Sequence, residues 1–279
     1  MIPFGQGNYN LLFLQYILAL MKKIVLTTIL FCFYANLDAQ NKNAFTSGEW
    51  LQFRVHYGIF NASYATMELK ETSLNGKSVF HVVGKGRTTG LARLFFKVDD
   101  NYESYFDKQD GRPYKFIRQI DEGGYTKDME INFDYNSNQA IVNNKKHNKT
   151  TTIAVHKDIH DLLSAVYYLR NHYKTENLTE GDETELDLLF DDDKTFKFKL
   201  KFLGKEVLKT KFGKISCIKF RPYVQAGRVF KEKGSLTLWV SDDENKLPMR
   251  IKADLRVGSI KADLEAFRGL KHQFKVVVD

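Results

Sequence analysis

The sequence predicts a mainly β protein: an antiparallel β-barrel or half-barrel of about a dozen strands wrapped around one α-helix. Three observations predict it. Apolar and polar residues alternate at period two in one segment after another. Turn residues separate these segments at intervals of roughly 8–15 residues. One segment carries a clear helical stripe instead.

The elements follow in order. Leu51, Phe53, Val55 and Tyr57 face one way, and Gln52, Arg54 and His56 the other, as in a half-buried strand. Gly58 ends it, and Ala65, Met67 and Leu69 begin the next. Leu74-Asn75-Gly76-Lys77 holds the Asn-Gly pair of a tight hairpin, because both residues tolerate positive φ. Residues 78–83 form the return strand. Gly84-Lys85-Gly86-Arg87-Thr88-Thr89-Gly90 looks like a phosphate loop, but its third glycine falls one position late and no βαβ unit surrounds it. It reads as a flexible turn. Residues 91–96 read as a short helix or loop, and residues 101–107 and 114–120 as strands. After the Glu122-Gly123-Gly124 turn, Tyr125, Lys127, Met129, Ile131, Phe133 and Tyr135 alternate with polar neighbours. Asn136-Ser137-Asn138 turns the chain again before residues 140–143. Residues 143–152 are polar and basic and read as an exposed loop.

The helix is expected to start at Asp158, with Asp161 three residues on, so that two carboxylates meet the free N–H groups of the first turn. Ile159, Leu162, Leu163, Val166, Arg170 and Tyr173 recur at helical spacing, and the helix ends near Lys174. Its apolar stripe must be buried, and the concave face of the sheet is the available surface. Leu186, Leu188 and Phe190 pair with Phe196, Phe198, Leu200 and Phe202 across Asp191-Asp192-Asp193-Lys194. Strands at 215–221, 234–241, 247–257 and 259–267 complete the set.

Composition excludes several classes. The 279 residues, 43% of them hydrophobic, give room for a sizeable core. The 22 Phe and 14 Tyr exclude intrinsic disorder, and the 2 Cys exclude a disulfide scaffold. The 18 Gly and 4 Pro are too few for collagen.

The amino-terminal region reads as an export signal. Residues 1–20 carry no charge and read as an upstream extension before the natural start at Met21. Met21-Lys22-Lys23, the apolar run 24–34 and the small residue Ala39 give residues 21–39 the three parts of a signal peptide, cut before Gln40. The alternative is a membrane anchor over 11–34, which Lys22 and Lys23 would interrupt at mid-span. Residues 40–279 are then a single β-rich domain, periplasmic or otherwise exported and soluble after cleavage. Bulky Ile29-Leu30-Phe31 before Cys32 argues against lipidation, and Cys217 reads as a buried small hydrophobe. Removing residues 1–39 takes Lys22, Lys23 and Asp38, so the net charge goes from 42 − 34 to 40 − 33, or +7. This admits an anionic partner such as a membrane surface or acidic glycan. No nucleic-acid motif is present.

Several motifs together carry a resemblance. They are Gly48-Glu49-Trp50-Leu51, Asp100-Asn101-Tyr102-Glu103-Ser104-Tyr105-Phe106-Asp107, Asp161-Leu162-Leu163-Ser164-Ala165 with Tyr168-Leu169-Arg170, and Leu238-Trp239-Val240-Ser241-Asp242-Asp243. Leu247-Pro248 and Gly258-Ser259-Ile260 close the set. Over residues 45–264 the chain resembles the exported bacterial family known as domain of unknown function 3108. The resemblance implies export and a β-rich fold, with no assigned activity. The layout is also similar to the periplasmic lipoprotein-carrier half-barrels, which is an architectural likeness and does not license function.

The function classes narrow accordingly. The chain lacks Gly-x-x-x-x-Gly-Lys-Ser/Thr and Gly-x-Ser-x-Gly, so P-loop and nucleophile-elbow chemistry lack their local geometry. His156 and His160 stand four apart, but a start at Asp158 leaves His156 before the helix; no metal site and no cofactor is expected. The Asp191-Asp192-Asp193 run reads as a charged turn. Strands rich in Phe and Tyr can fill a barrel or line an apolar cavity. The expected ligand-binding residues are Leu91, Phe95, Phe96, Tyr102, Tyr105, Arg170 and Trp239, with Arg170 reaching Glu103 or Asp107. Lys197, Lys199 and Lys201 share one strand face and form a candidate patch for an anionic surface, or a solvated face. The leading expectation is non-catalytic binding or carriage of a lipid or amphipathic envelope molecule. The alternatives are an envelope hydrolase or sugar-modifying enzyme using Glu103, Asp107 and Asp161, and a protein adaptor using the lysine edge.

Overall fold

A computed structural model describes residues 43–58, 60–90, 92–191, 194–223, 235–255 and 258–277. The upstream extension, the signal peptide and Leu91 lie outside these residues. The chain order is β1 (Trp50–Tyr57), β2 (Phe60–Leu74), β3 (Lys77–Thr88), α1 (Ala92–Phe95), β4 (Val98–Asp107), β5 (Pro113–Glu122), β6 (Tyr125–Asp134) and β7 (Gln139–Asn144). A 3-10 turn (Lys145–His147) leads to β8 (Lys149–Ala154), β9 (Ile159–His160) and α2 (Leu162–His172). Then come β10 (Glu183–Leu188), β11 (Phe196–Thr210), β12 (Gly213–Tyr223), β13 (Leu236–Ser241), β14 (Pro248–Asp254) and β15 (Ser259–Arg268).

All of these strands belong to one 15-stranded sheet, in the order β8-β7-β6-β5-β4-β3-β2-β1-β15-β14-β13-β12-β11-β10-β9. Neighbours are antiparallel, except that β9 runs parallel to β10. Asn75 (φ 52°) and Gly76 (φ 80°) make the expected hairpin turn between β2 and β3. Leu186 stands opposite Phe198 and Leu188 opposite Phe196, as the alternation requires. The sheet is not closed by hydrogen bonds: β8 and β9 are its two edges. This is a half-barrel around one principal helix, as the sequence predicts.

Three local expectations are corrected. The cap of α2 is Asp161 rather than Asp158, because Ile159 and His160 are drawn into β9 beside Asp187 and Leu188. Asp161 Oδ1 accepts from the backbone N–H groups of Leu163 (2.8 Å) and Ser164 (2.9 Å). Residues 84–88 are strand, not turn, because all five pair with β2 and 84–87 also pair with β4. Residues 143–152 are not a free loop either: most of them belong to the β7–β8 hairpin.

The buried apolar side chains form four clusters. Ala44, Phe45, Leu69, Phe80, Phe106 and Tyr167 pack together and anchor α2 to β2–β4. Tyr173, at the end of α2, packs with Leu200, Phe202, Ile218 and Phe220 of β11 and β12. Ile159 and Leu189 pack against Phe116, Met129, Ile131 and Val142 of β5–β7. Leu51, Phe53, Trp239, Leu247 and Leu264 belong to a fourth cluster at the β1–β15 junction. No helix among the described residues is long and apolar enough to cross a membrane.

Candidate ligand cavity

The concave face and α2 do not fill the space between them. They leave a cavity of about 400 Å³. One wall comes from Phe53, Ala65 and Met67 of β1 and β2. The roof is the apolar stripe of α2: Leu163, Val166 and Leu169. The far wall includes Phe198, Phe220, Leu238 and Ile251.

Gly84 and Gly86 make much of this room. Both sit on the concave side of β3, where a side chain would point inward. Neither has a positive φ, so backbone freedom does not explain them. A Cβ at Gly84 would stand 3.6 Å from Leu163 Cδ2 and 3.8 Å from Tyr102 Cβ, which is ordinary contact. Larger side chains there would enter the cavity.

The polar groups on the wall differ in how far they are already engaged. Arg170 is buried and makes a two-pronged pair with Glu49, at 2.6 and 2.7 Å. Its remaining donors reach the carbonyls of Asn245 and Ala44. Burial opposes the guanidinium charge, but Glu49 overcomes it and holds Arg170 above its ordinary value. Tyr102 lines the wall beside Phe116, and burial raises its phenol. Asp100 stands at the Gly86 end, where burial and then Glu122 push its carboxyl up to about 6.

The expected binding residues therefore divide. Tyr102 and Arg170 are on the cavity wall. Arg170 is committed to Glu49, not to Glu103 or Asp107 as expected, because the segment before β1 runs across the end of α2. Tyr105 follows Ser104 on β4 and faces the other side of the sheet, stacked on His81 at 4.0 Å. Trp239 also faces away, between cavity residues Leu238 and Val240, and donates to Glu206 at 2.5 Å. Phe96 is 55% exposed and lies over Gly123. Phe95 belongs to α1. Lys197, Lys199 and Lys201 each face carboxylates of β10: Asp187, Glu185 and Glu183. This ladder neutralises much of the stripe's charge.

The other candidate chemistry is dispersed. Glu103 bonds His81 on the outer face, at 2.9 Å. Asp107 accepts from the Tyr114 hydroxyl and the Gln109 N–H in a turn. Asp161 is buried on the inner face and accepts from Ser104 Oγ at 2.6 Å. The three carboxylates do not converge in a cleft. His156 bonds Asp187, while His160 is buried against Tyr168. Among the described residues, no group of three His, Cys, Asp or Glu side chains is placed to hold a metal ion. Burial pushes the Cys217 thiol up to about 12, which keeps it an inert core residue at neutral pH.

The fold and its hollow define a β-barrel-like protein with an apolar chamber under one helix. The chain belongs to the family of proteins of unknown function DUF3108, whose model matches residues 52–265. It is also similar to a solved structure described as a β-barrel-like protein of domain of unknown function DUF1849 from Brucella abortus. Identity there is 9%, with a TM-score of 0.52, over 80% of this chain and 98% of the other. At that identity the likeness speaks for the fold alone. No curated protein matches the sequence.

Sequence reasoning missed Gly84, Gly86 and Lys246 as parts of the wall. The first two carried a signal: a Gly-x-Gly inside a period-two strand marks missing side chains on one face.

Proposed function

We propose that the protein is exported and holds an apolar or amphipathic envelope molecule between α2 and the concave sheet. The supporting observation is the cavity itself. Its volume of about 400 Å³ falls in the range of small-molecule sites, and its walls are mostly apolar, with Leu and Phe the commonest residues. Export is supported by the basic, apolar and small-residue parts of residues 21–39.

The test is native mass spectrometry of the protein purified from a Gram-negative periplasm, followed by solvent extraction. The expected result is a reproducible excess mass that extracts as lipid, on a chain beginning near Gln40. A bare mass, unchanged after incubation with envelope lipids, would overturn the binding reading. A chain retaining residues 21–39 would overturn cleavage.

A further inference from the structure

Five non-glycine residues among those described adopt positive φ, and four are Asn: Asn75, Asn138, Asn148 and Asn177. Asn is the usual non-glycine occupant of that region. The fifth is Lys246, at φ 47° in the turn between β13 and β14. A lysine gains nothing from this backbone, so its side chain is the reason to look further.

The turn is pinned. Asp243 Oδ1 accepts from Ser241 Oγ and from the N–H groups of Asn245 and Lys246, at 2.7, 3.1 and 3.1 Å. Asn245 is held by the carboxy-terminal segment, donating to His272 O at 3.1 Å and accepting from His272 N at 3.0 Å. Lys246 is thereby fixed as part of the cavity wall, which Arg170, Tyr173 and Thr175 also line. Its Nζ donates to the carbonyl of Tyr173, the C-cap of α2, at 2.9 Å. An ammonium has three donors, so this bond leaves two. Among the described residues no carboxylate lies within ion-pair distance of it. Burial pulls its ammonium below the ordinary lysine value, with Glu176 opposing.

The other cations on the wall are less suited. Arg170 is committed to Glu49 and two carbonyls, and Lys85 is exposed on β3. The acidic group on the wall, Asp100, lies at the Gly86 end of the cavity. An anionic head is repelled there and attracted at Lys246.

We propose that Lys246 reads the head of the bound molecule, and that this molecule is a single-chain amphiphile with an anionic carboxylate or phosphate head. The assignment rests on the cavity reading above. The volume, near the small end of ligand sites, suits one chain rather than several.

Titration calorimetry on the exported protein, stripped of lipid on a hydrophobic resin, tests it with dodecanoate, dodecyl phosphate and dodecanol. The expected result is that at least one anion binds about tenfold or more tightly than dodecanol, the gain of a charge-assisted hydrogen bond. Which anion leads tells a fatty acid from a phosphate-bearing lipid. Lys246→Asn suits the positive φ and should erase the preference while dodecanol still binds. Lys246→Arg should keep it. A lysine that merely caps α2 would lower Tm on mutation and leave the anion-to-alcohol ratio unchanged. That result, or equal affinities in the wild type, overturns the head assignment and leaves the cavity standing. Failure of all three probes to bind the wild type overturns both.

Discussion

Asp161 shows how one residue joins helix, sheet and pH. One oxygen caps α2 and the other accepts the Ser104 hydroxyl of β4. These bonds favour the carboxylate, but complete burial outweighs them and lifts the group to about 6. Its unfolded value is ~3.9. The folded state therefore holds the proton more tightly, and the associated stability, complete below pH ~4, is lost as pH rises through about 6. His160 runs the other way: burial lowers it to about 4, so its contribution is restored as pH rises. The difference between wild type and Asp161→Asn isolates the carboxyl. In urea unfolding from pH 4 to 7, the stability of the wild type minus that of the Asn variant should fall as pH rises. Parallel profiles would refute the assignment. The Glu49–Arg170 pair makes a second expectation. Glu49→Gln leaves a guanidinium buried against a neutral partner and should cost about 3–5 kcal/mol in urea unfolding. A loss under about 1 kcal/mol would mean that the pair is not buried as described. The sequence placed Arg170 on the helix but not its partner, which lies 121 residues away. Periodicity carries no information about such a pairing.

At the scale of elements, the sequence was most legible where side-chain period and turn chemistry agree. The Asn75-Gly76 hairpin and the β10–β11 register were both readable because each rests on neighbouring residues. The start of α2 was misplaced because β9 claims Ile159 and His160 through pairing with a strand that comes later in the chain. The Gly84–Gly86 stretch was misread because glycine suggests a turn, and only the strands on either side reveal missing side chains. This reading makes Gly84 a clean probe. Gly84→Ala meets only ordinary contacts and should leave stability unchanged or raise it by ~0.4–1 kcal/mol. Gly84→Phe puts a ring into the cavity and should abolish the bound mass with the fold retained by circular dichroism. If Gly84→Phe keeps its ligand, the cavity is not the binding site. The lysine stripe on β11 gives another test. Lys199→Glu places a third carboxylate beside Glu183 and Glu185. It should lower the unfolding temperature, and added salt should narrow the gap. A gap that salt does not change would show that the ladder is not electrostatic.

The whole molecule poses a question that no single strand answers: how an open sheet encloses anything. Hydrogen bonds stop at β8 and β9, yet the β9–β10 end is not free. Ile159 and Leu189, next to that edge, are fully buried against Phe116, Met129 and Ile131 on the opposite arm. Beyond them, Asp191 pairs with Arg118 of β5 and Lys127 of β6. The seam is thus sealed by side-chain packing with an ionic rim, and no ladder bond needs to break for it to open. The two layers should contribute unequally. Leu189→Ala removes buried volume where neighbours from both arms meet and should cost ~2–5 kcal/mol. Asp191→Asn removes partly exposed pairs and should cost less than about 1 kcal/mol. Hydrogen exchange locates the effect. In Leu189→Ala, amides of β9 and β10, and of the β7–β8 edge, should exchange faster, while those of the β1–β15 pairing keep their protection. Uniform acceleration across all strands would mean instead that the sheet and its seam unfold as one unit, and that the chamber has no separate door.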